Sequence, residues 1–577
     1  MVTPFAWSRP HPVNEHVGAA AHGLRGRGHE VVVLAPSNRA RDLAAGRRAL
    51  RQLEREGTPL EGVVALGPAV PAARGSRLGV PVGVRANLAL ALTADDFDVV
   101  HVHEPALPSL SYLAVRQARG FTVATFHSAE RLAYPPGKSQ RDRLLARVDA
   151  LTATSEEVAT AAARRFPGDY RALPLGIDEA APSEPRTRFV LEWRAEEHDR
   201  FRAAARALAE LPGYELVALR TRPLAGRPYV PRGLRDRIVV RTALDGEARR
   251  RELAGAAGFV PARHSSPHAR AEARAEGVPV VDPPGAEAQP ALIAAALGRL
   301  AEDGTWRARQ SEESRRDMER ESTEALAVGL ERIYRSVVGR RRHSHHADLL
   351  ADRPWILCDL HLHTDHSHDC SMPVDDVLAQ ASAIGLGAIA VTDHNVFSGA
   401  REAVKAAAAL DLVVIPGEEV MTDRGEVIGL FLSEEIPRGM PMNDTIAAIR
   451  DQGGLVYMPH PFDRLHTIPD ATTLHRHLAE IDLFEVYNAR LLRETFNHEA
   501  LRFARKYNLT VGAGSDAHVL QGIGTGCVRM RAFDGPEEFL ISLRTAEIMR
   551  RPKSLVYLQG LKWVAQARER RTKAGVR

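Results

Sequence analysis

The stretch Ile356-Leu357-Cys358-Asp359-Leu360-His361-Leu362-His363-Thr364 decides how this chain is read. It is a short apolar run ending in His-x-His, the pattern of a buried β-strand whose last turn of pleat carries imidazoles. Residues i and i+2 of a strand share a face, so both rings converge on one point while Leu362 turns into the packing. That geometry is what a divalent metal needs from two neutral nitrogen ligands.

The same device recurs downstream. Asp369 follows in the loop Asp365-His366-Ser367-His368-Asp369. The run Ala388-Ile389-Ala390-Val391 leads into Thr392-Asp393-His394-Asn395, and Leu412-Val413-Val414-Ile415 leads into Pro416-Gly417-Glu418-Glu419. Leu455-Val456-Tyr457-Met458 leads into Pro459-His460-Pro461. Leu509-Thr510-Val511-Gly512-Ala513 leads into Gly514-Ser515-Asp516-Ala517-His518, a second i, i+2 pair. Helical patterns separate these runs, which predicts a (β/α) barrel, where the C-terminal strand ends form one rim. Histidines and carboxylates far apart in sequence then meet in one site. Clustered divalent ions held there would activate water and clamp the oxygens of a phosphate ester, so no side-chain nucleophile is required.

HLHTDHSHD, TDH, PGEE, PHP and GSDAH stand in the order and context of the PHP (polymerase and histidinol phosphatase) family, which the last 200 or so residues closely resemble. The resemblance implies a distorted (β/α)7 barrel holding two or three divalent ions, commonly zinc, manganese or iron. It implies His361, His363, Asp369, His394, Glu419, His460, Asp516 and His518 as ligands, with Glu419 bridging. His361, His363, His394, Asp516 and His518 form the catalytic core of that assignment. Two positions depart from the family. Gly425-Glu426-Val427-Ile428-Gly429 stands where a histidine strand is usual, so Glu426 either ligates in its place or leaves a binuclear site with an open edge. Cys370 replaces a glycine, as a buried thiol, a soft ligand or an oxidation-prone spot. Arg464, Arg490 and His366 are the expected substrate contacts, with His368 a further loop candidate.

The first two-thirds alternate strands and helices. Glu30 to Leu34, Phe97 to His101 and Phe121 to Thr125 read as buried strands, and the pattern restarts near Arg188 with Tyr214 to Leu219, Arg237 to Val240 and Val278 to Val281. Two α/β lobes in tandem is the simplest reading. Met1-Val2-Thr3-Pro4 reads as the end of a first strand whose opening residues are missing. A long charged helix is predicted from Thr305 to Val338. RGRGHEVVVLAPS, FDVVHVHEP, ATFHS, LTATSEEVA, LPLGID and AEGVPVVD resemble retaining glycosyltransferases of the GT-B fold. That family binds a nucleotide sugar between two Rossmann-like lobes and closes with helices that cross back over the first. Its catalytic groups are poorly kept here. Pro10 to His16 lacks the glycines of the family's loop, Arg188 to Arg194 offers no match for the donor-phosphate Arg and Lys pair, and Glu272 fits one of two expected glutamates. The other falls at or near His264, where there is no carboxylate. The lobe pair is therefore expected to be degenerate.

The fold class is thus α/β: two Rossmann-like, GT-B-like lobes followed by a distorted (β/α)7 barrel. The expected boundaries are 1–180 and 181–338 for the lobes, 339–354 for a basic, solvated linker, 355–560 for the barrel and 561–577 for a basic tail. With 44% hydrophobic and 26% charged residues, the composition is that of a globular protein, and a net charge of +4 over 577 residues excludes a general nucleic-acid binder. Three cysteines exclude a disulfide framework and point to a reducing compartment, with cytoplasmic the expected location. No stretch approaches the roughly 20 apolar residues of a membrane helix. The leading expectation is a metal-dependent phosphoesterase acting on a phosphorylated small molecule or nucleotide. The alternatives are a bifunctional enzyme with live nucleotide-sugar-dependent transfer, and a sugar- or nucleotide-binding protein with a regulatory metal barrel.

Overall fold

A computed structural model describes residues 1–577 except 72–78, 81–83, 95–96, 223–225, 264, 284–288, 317, 343–347, 552, 555–559 and 562–577. The chain forms two compact units, Met1–Val338 and Gly339–Arg577. Most of the basic tail and the centre of the 339–354 stretch, with His343, His345 and His346, lie outside the described residues.

The first unit holds two parallel sheets. In the first lobe the order is Val63–Pro68, Val33–Ser37, Val2, Val99–His103, Phe121–Phe126, Ala150–Ala153 and Tyr170–Ala172, with Val2 bridging Leu34 and Val102. In the second it is Ile238–Thr242, Glu215–Arg220, Arg188–Glu192 and Gly258–Val260. Both are Rossmann-like, as expected. Strands fall up to three residues later than the apolar runs: Glu30 to Leu34 becomes Val33–Ser37, because pairing starts only where Val33 meets Val63. The predicted strand Val278 to Val281 shrinks to a single bridge between Val280 and Phe259.

The helix predicted from Thr305 to Val338 is two helices, Gly304–Arg315 and Thr323–Val338, joined by the 3₁₀ turn Met318–Glu321. The break is set by docking. The Glu321 carboxylate accepts from Leu175 N at 2.9 Å, its carbonyl accepts from Gly176 N and Ile177 N, and Asp178 accepts from Thr323 N at 2.8 Å, starting the second helix afresh. That helix then crosses back over the first lobe, where Glu331 takes Arg27 Nε at 3.0 Å and Tyr334 Oη lies 2.7 Å from His101 Nδ1. Gly23 permits the approach: a Cβ there would stand 2.9 Å from the Thr323 carbonyl oxygen.

The second unit is built on a nine-stranded sheet. Its order is Thr510–Gly514, Leu483–Asn488, Leu455–Met458, Glu426–Leu430, Val413–Met421, Ala388–Val391, Trp355–Leu362, Gly526–Arg531 and Glu547–Arg550. The first seven in that order close on themselves: Asp516 N donates to His361 O at 2.7 Å and His363 N to Ala517 O at 3.2 Å. This is the expected barrel, and its distortion is specific. Glu426–Leu430 runs antiparallel to both neighbours, while Gly526–Arg531 and Glu547–Arg550 extend the sheet antiparallel beyond Trp355–Leu362. The core is a continuous apolar layer including Leu360, Ala390, Ile415, Ile428, Tyr457 and Leu483.

The stretch 339–354, expected as a solvated linker, is docked on the barrel where it is described. The Arg342 guanidinium donates to the carbonyls of Leu478 and Ile481, Asp348 pairs with Arg531 at 3.0 Å, and Leu350 is buried. A charged run looks solvated in sequence, but carbonyls in the turn after the helix Ala471–Arg476 offer an arginine acceptors that only the fold reveals.

Candidate metal centre

The expected ligands converge on the rim. His361 and His363 bracket the end of Trp355–Leu362, and Glu419 projects from within Val413–Met421. His394, His460, Asp516 and His518 follow the ends of Ala388–Val391, Leu455–Met458 and Thr510–Gly514, and Asp369 comes from the loop after the first strand. Glu426 reaches the same rim by the antiparallel strand, whose first residue lands where its neighbours end.

Glu419 is the hub. Its carboxylate lies 3.2 Å from His361 Nε2, 3.5 Å from His363 Nε2, 3.1 Å from His394 Nδ1 and 3.0 Å from His460 Nε2. On one side His363 Nε2 stands 3.4 Å from Asp516, and on the other Glu426 stands 3.7 Å from His460. His518 Nε2 meets Asp369 at 2.8 Å. Four overlapping triads keep their donor atoms within 4.8 Å: His363, His394, His518; His361, His363, Asp516; His361, Glu419, His460; and His394, Glu419, Glu426. Two of the rim residues have positive φ, His460 at 24° and Asp516 at 49°, a backbone conformation uncommon outside glycine and concentrated at functional sites. Gly514 lets the closing strand reach the first, since a Cβ there would stand 2.3 Å from His361 Cβ.

Buried groups behind the rim fix its orientation. Glu485, from Leu483–Asn488, faces His361 Nδ1 at 3.2 Å and accepts from Tyr457 Oη at 3.1 Å and from His460 N at 2.7 Å. A carboxylate on Nδ1 places the ring proton there and leaves the Nε2 lone pair facing the cluster. Asp393 accepts from Thr364 N and Ser367 Oγ, and Ser367 Oγ in turn accepts from His394 N at 2.9 Å. Glu485→Gln puts an amide N–H against groups that all donate. It is expected to weaken metal binding about 10- to 100-fold with the barrel still folded, as read by competition with a chelator.

The buried charges of the hub act on one another. Burial alone would raise the Glu419 carboxyl, but the imidazoles of His361 and His394 outweigh it and hold it well below the usual carboxylate range. Burial holds His363 well below the ordinary imidazole value, aided by the positive fields of His394 and His518. Burial, then the Glu419 charge, pushes Glu426 up to about 7. Its Oε2 is buried with no hydrogen-bond partner among the described residues, as is His460 Nδ1. An oxygen so placed beside mixed nitrogen and oxygen donors fits a divalent transition ion, so Glu426 suits the ligand role better than an open edge does.

The expected substrate contacts divide. Arg490 is at the rim, its Nη1 donating to Asp516 at 3.0 Å and lying 3.2 Å from His518 Nε2. Arg464 is not brought there: it pairs with Glu499 at 3.2 Å and lies over the Phe496 ring, so it braces the helix Glu494–Tyr507. His366 also turns aside, to Ser398 at 2.7 Å and Glu402 at 3.1 Å. His368 stays near, its ring 5.5 Å from that of His394. His466, not anticipated, stacks on His460 at 4.8 Å and is held by Asp463 at 2.7 Å. Cys370 is buried and joins none of the candidate triads among the described residues.

In the first unit Glu272 is occupied. Arg249 donates to it from Nε at 2.7 Å and to Glu15 from Nη2 at 2.7 Å, and Glu15 also accepts from Gly246 N. Glu15 therefore ties the two lobes together at the mouth of their cleft, from the segment where a glycine-rich loop was sought. Arg194 is buried against Glu192, and position 264 lies outside the described residues.

Fold and rim together define a metal-dependent phosphoesterase barrel joined to a glycosyltransferase-like module. The PHP domain model matches residues 359–500, the PHP-associated model matches 494–548, and the Glycosyltransferase Family 4 model matches 13–181. The chain is 31% identical over 211 residues to "Uncharacterized protein MJ0417" of Methanocaldococcus jannaschii, over 34% of this chain and 84% of that one. It is 36% identical over 143 residues to "Uncharacterized protein MJ1587" of the same organism, over 23% of this chain and 81% of that one. It is 31% identical over 222 residues to a phosphatidyl-myo-inositol mannosyltransferase of Propionibacterium freudenreichii subsp. shermanii, over 38% of this chain and 55% of that enzyme. The chain belongs to the PHP-domain family, and the residues before the barrel match the Glycosyltransferase Family 4 model over 13–181. Among the described residues no helix is long and apolar enough to cross a membrane.

Proposed function

We propose that the barrel hydrolyses a phosphomonoester of a small molecule, such as a sugar phosphate or nucleotide, with two or three ions of the zinc, manganese or iron class. The observation that carries this reading is the Glu419 carboxylate within 3.5 Å of four imidazoles, a hub suited to bridging two cations. His361, His363, Asp369, His394, Glu419, Glu426, His460, Asp516 and His518 would hold the ions. When bound, such ions supply acidity to water and charge opposite the phosphate oxygens. Arg490, partly exposed beside Asp516 and Asp369, orients the phosphate by a planar two-donor contact. Glu485 and Ser367 keep the imidazoles in one tautomer and one rotamer. The first unit presents or recognises the substrate's sugar or polyol part, because Glu272, held by Arg249, which also pairs with Glu15, is not free to serve a transferring site.

The test is phosphate release from a panel of phosphomonoesters and nucleotides with added manganese or zinc. Metal-dependent turnover by the full chain is expected, and a metal-loaded protein that releases phosphate from none of them sinks the reading. The two arginines separate within the same assay. Arg490→Ala is expected to raise KM about 10- to 100-fold, the value of one charge-assisted contact. Arg464→Ala is expected to leave kcat/KM within about threefold and to cost about 1 kcal/mol of barrel stability through its lost ion pair and ring contact.

A further inference from the structure

The first unit carries its own group of histidines, which the barrel reaction does not use. His16 lies on the helix Pro12–Gly26, His103 ends the strand Val99–His103, and His127 follows the strand Phe121–Phe126. Each offers a ring nitrogen within 4.8 Å of the other two. His103 Nδ1 and His127 Nε2 are 3.0 Å apart, and the His16 ring centroid is 4.9 Å from that of His127 and 5.8 Å from that of His103. His16 and His103 are 0% exposed and His127 is 9% exposed. The group sits at the C-terminal end of a parallel sheet, where open α/β folds bind ligands.

A neutral imidazole offers one proton and one lone pair. His16 Nδ1 lies 3.1 Å from Leu175 O, which only accepts, so the proton is on Nδ1 and Nε2 is a lone pair. That Nε2 is buried with no hydrogen-bond partner among the described residues, and so are His103 Nε2 and His127 Nδ1. The contact between His103 and His127 uses one proton and one lone pair, leaving one of each. Buried polar atoms left unmet are rare in folded proteins. A cation takes a lone pair from every ring at once and meets His16 Nε2, while the protons of the other two rings then sit on His103 Nε2 and His127 Nδ1.

We propose that His16, His103 and His127 form a second metal site, for one ion of the zinc class, in the first lobe. A compact all-imidazole set selects zinc or its cobalt, nickel and copper neighbours over magnesium, calcium or manganese. The nearby Glu104 carboxylate pairs with Arg131 at 3.3 Å and joins no triad among the described residues, so the donors are nitrogens. Three ligands leave a tetrahedral ion one open position for water or a substrate oxygen.

The decisive experiment is anomalous diffraction at the zinc edge on crystals of the full chain equilibrated with zinc, where the barrel serves as an internal reference. A peak about 2.0–2.1 Å from one nitrogen of each of His16, His103 and His127 is expected. A blank position there overturns the proposal, whatever the barrel holds. As a second readout, the full-length His103→Gln/His127→Gln variant is expected to bind one zinc fewer per chain while the barrel keeps its own ions. Equal zinc content in variant and wild type also overturns it. The diffraction result needs no variant, so a misfolded double substitution leaves the question answerable.

Discussion

Replacing His361 and His363 together by alanine is expected to lower kcat/KM for phosphate release by more than about 10³-fold and to halve or abolish the barrel's metal content. The two rings differ in what they hold. His361 is fixed from behind by Glu485 and faces Glu419, while His363 lies between Glu419 and Asp516. Their loss therefore strips nitrogen donors from both sides of the hub, and no neighbouring side chain can replace a ligand that leaves from a strand end. Removing one preorganised electrostatic group from a hydrolytic site typically costs about 10²–10³ in rate, which sets the floor for removing two ligands. Steady-state kinetics with elemental analysis of the same preparations reads both quantities. A variant that keeps its metals and turns over within tenfold of wild type would show that the chemistry lies elsewhere. The helices and core strands of the barrel should be retained, since both side chains stand on the rim face and this strand's part of the core layer is formed by the alternate residues Cys358 and Leu360.

Much of the barrel was legible in the sequence because its strands are buried along their length and present ligands at their ends. They leave apolar runs that each lead into a histidine or carboxylate, repeated from Ile356 to His518, and repetition separates that pattern from chance histidine pairs. Single residues carry no such signal. Glu485 stands in Leu-Phe-Glu-Val-Tyr-Asn, and only the closure that brings it to His361 makes it more than a polar residue in a strand; a buried-strand glutamate was the available clue. Arg464 and Arg490 both follow apolar runs, but helix Glu494–Tyr507 offers Glu499 to the first while Asp516 claims the second. Glu426 was flagged as an anomaly, and the antiparallel course of its strand explains how a residue at a strand's start joins residues at strand ends. In the first unit the strand pattern showed the two lobes, whereas the docked turn at Met318–Glu321 and the approach of His16 to His127 depend on contacts across more than a hundred residues of chain.

Glu419→Ala is expected to have two separable effects. With metals supplied, phosphate release should fall by about 10³-fold or more, because the variant loses the one carboxylate that every inner imidazole but His518 approaches. With metals chelated, the unit should also be less stable than chelated wild type by about 3 kcal/mol, the usual cost of removing one member of a buried ion pair. The sign follows from the charges. In the chelated wild type the charges of Glu419, Glu485 and Asp516 outweigh burial and hold His361 well above the ordinary imidazole value, so a buried cation is compensated from three sides. Alanine removes the largest of these, and His361 must then either stay charged with less compensation or release its proton. Glu426 responds the other way: the Glu419 charge helps raise it to about 7, and without that neighbour it should ionise more readily. The substitution therefore trades one buried anion for a less well-placed one, which limits the loss and gives it a pH dependence. Because the raised His361 contributes stability that is present when it is protonated, the gap between chelated wild type and variant should be widest at low pH and narrow as pH rises. Thermal unfolding of both chelated proteins across pH 5–9 measures that gap, and equal stability throughout would mean that Glu419 acts only through the ions.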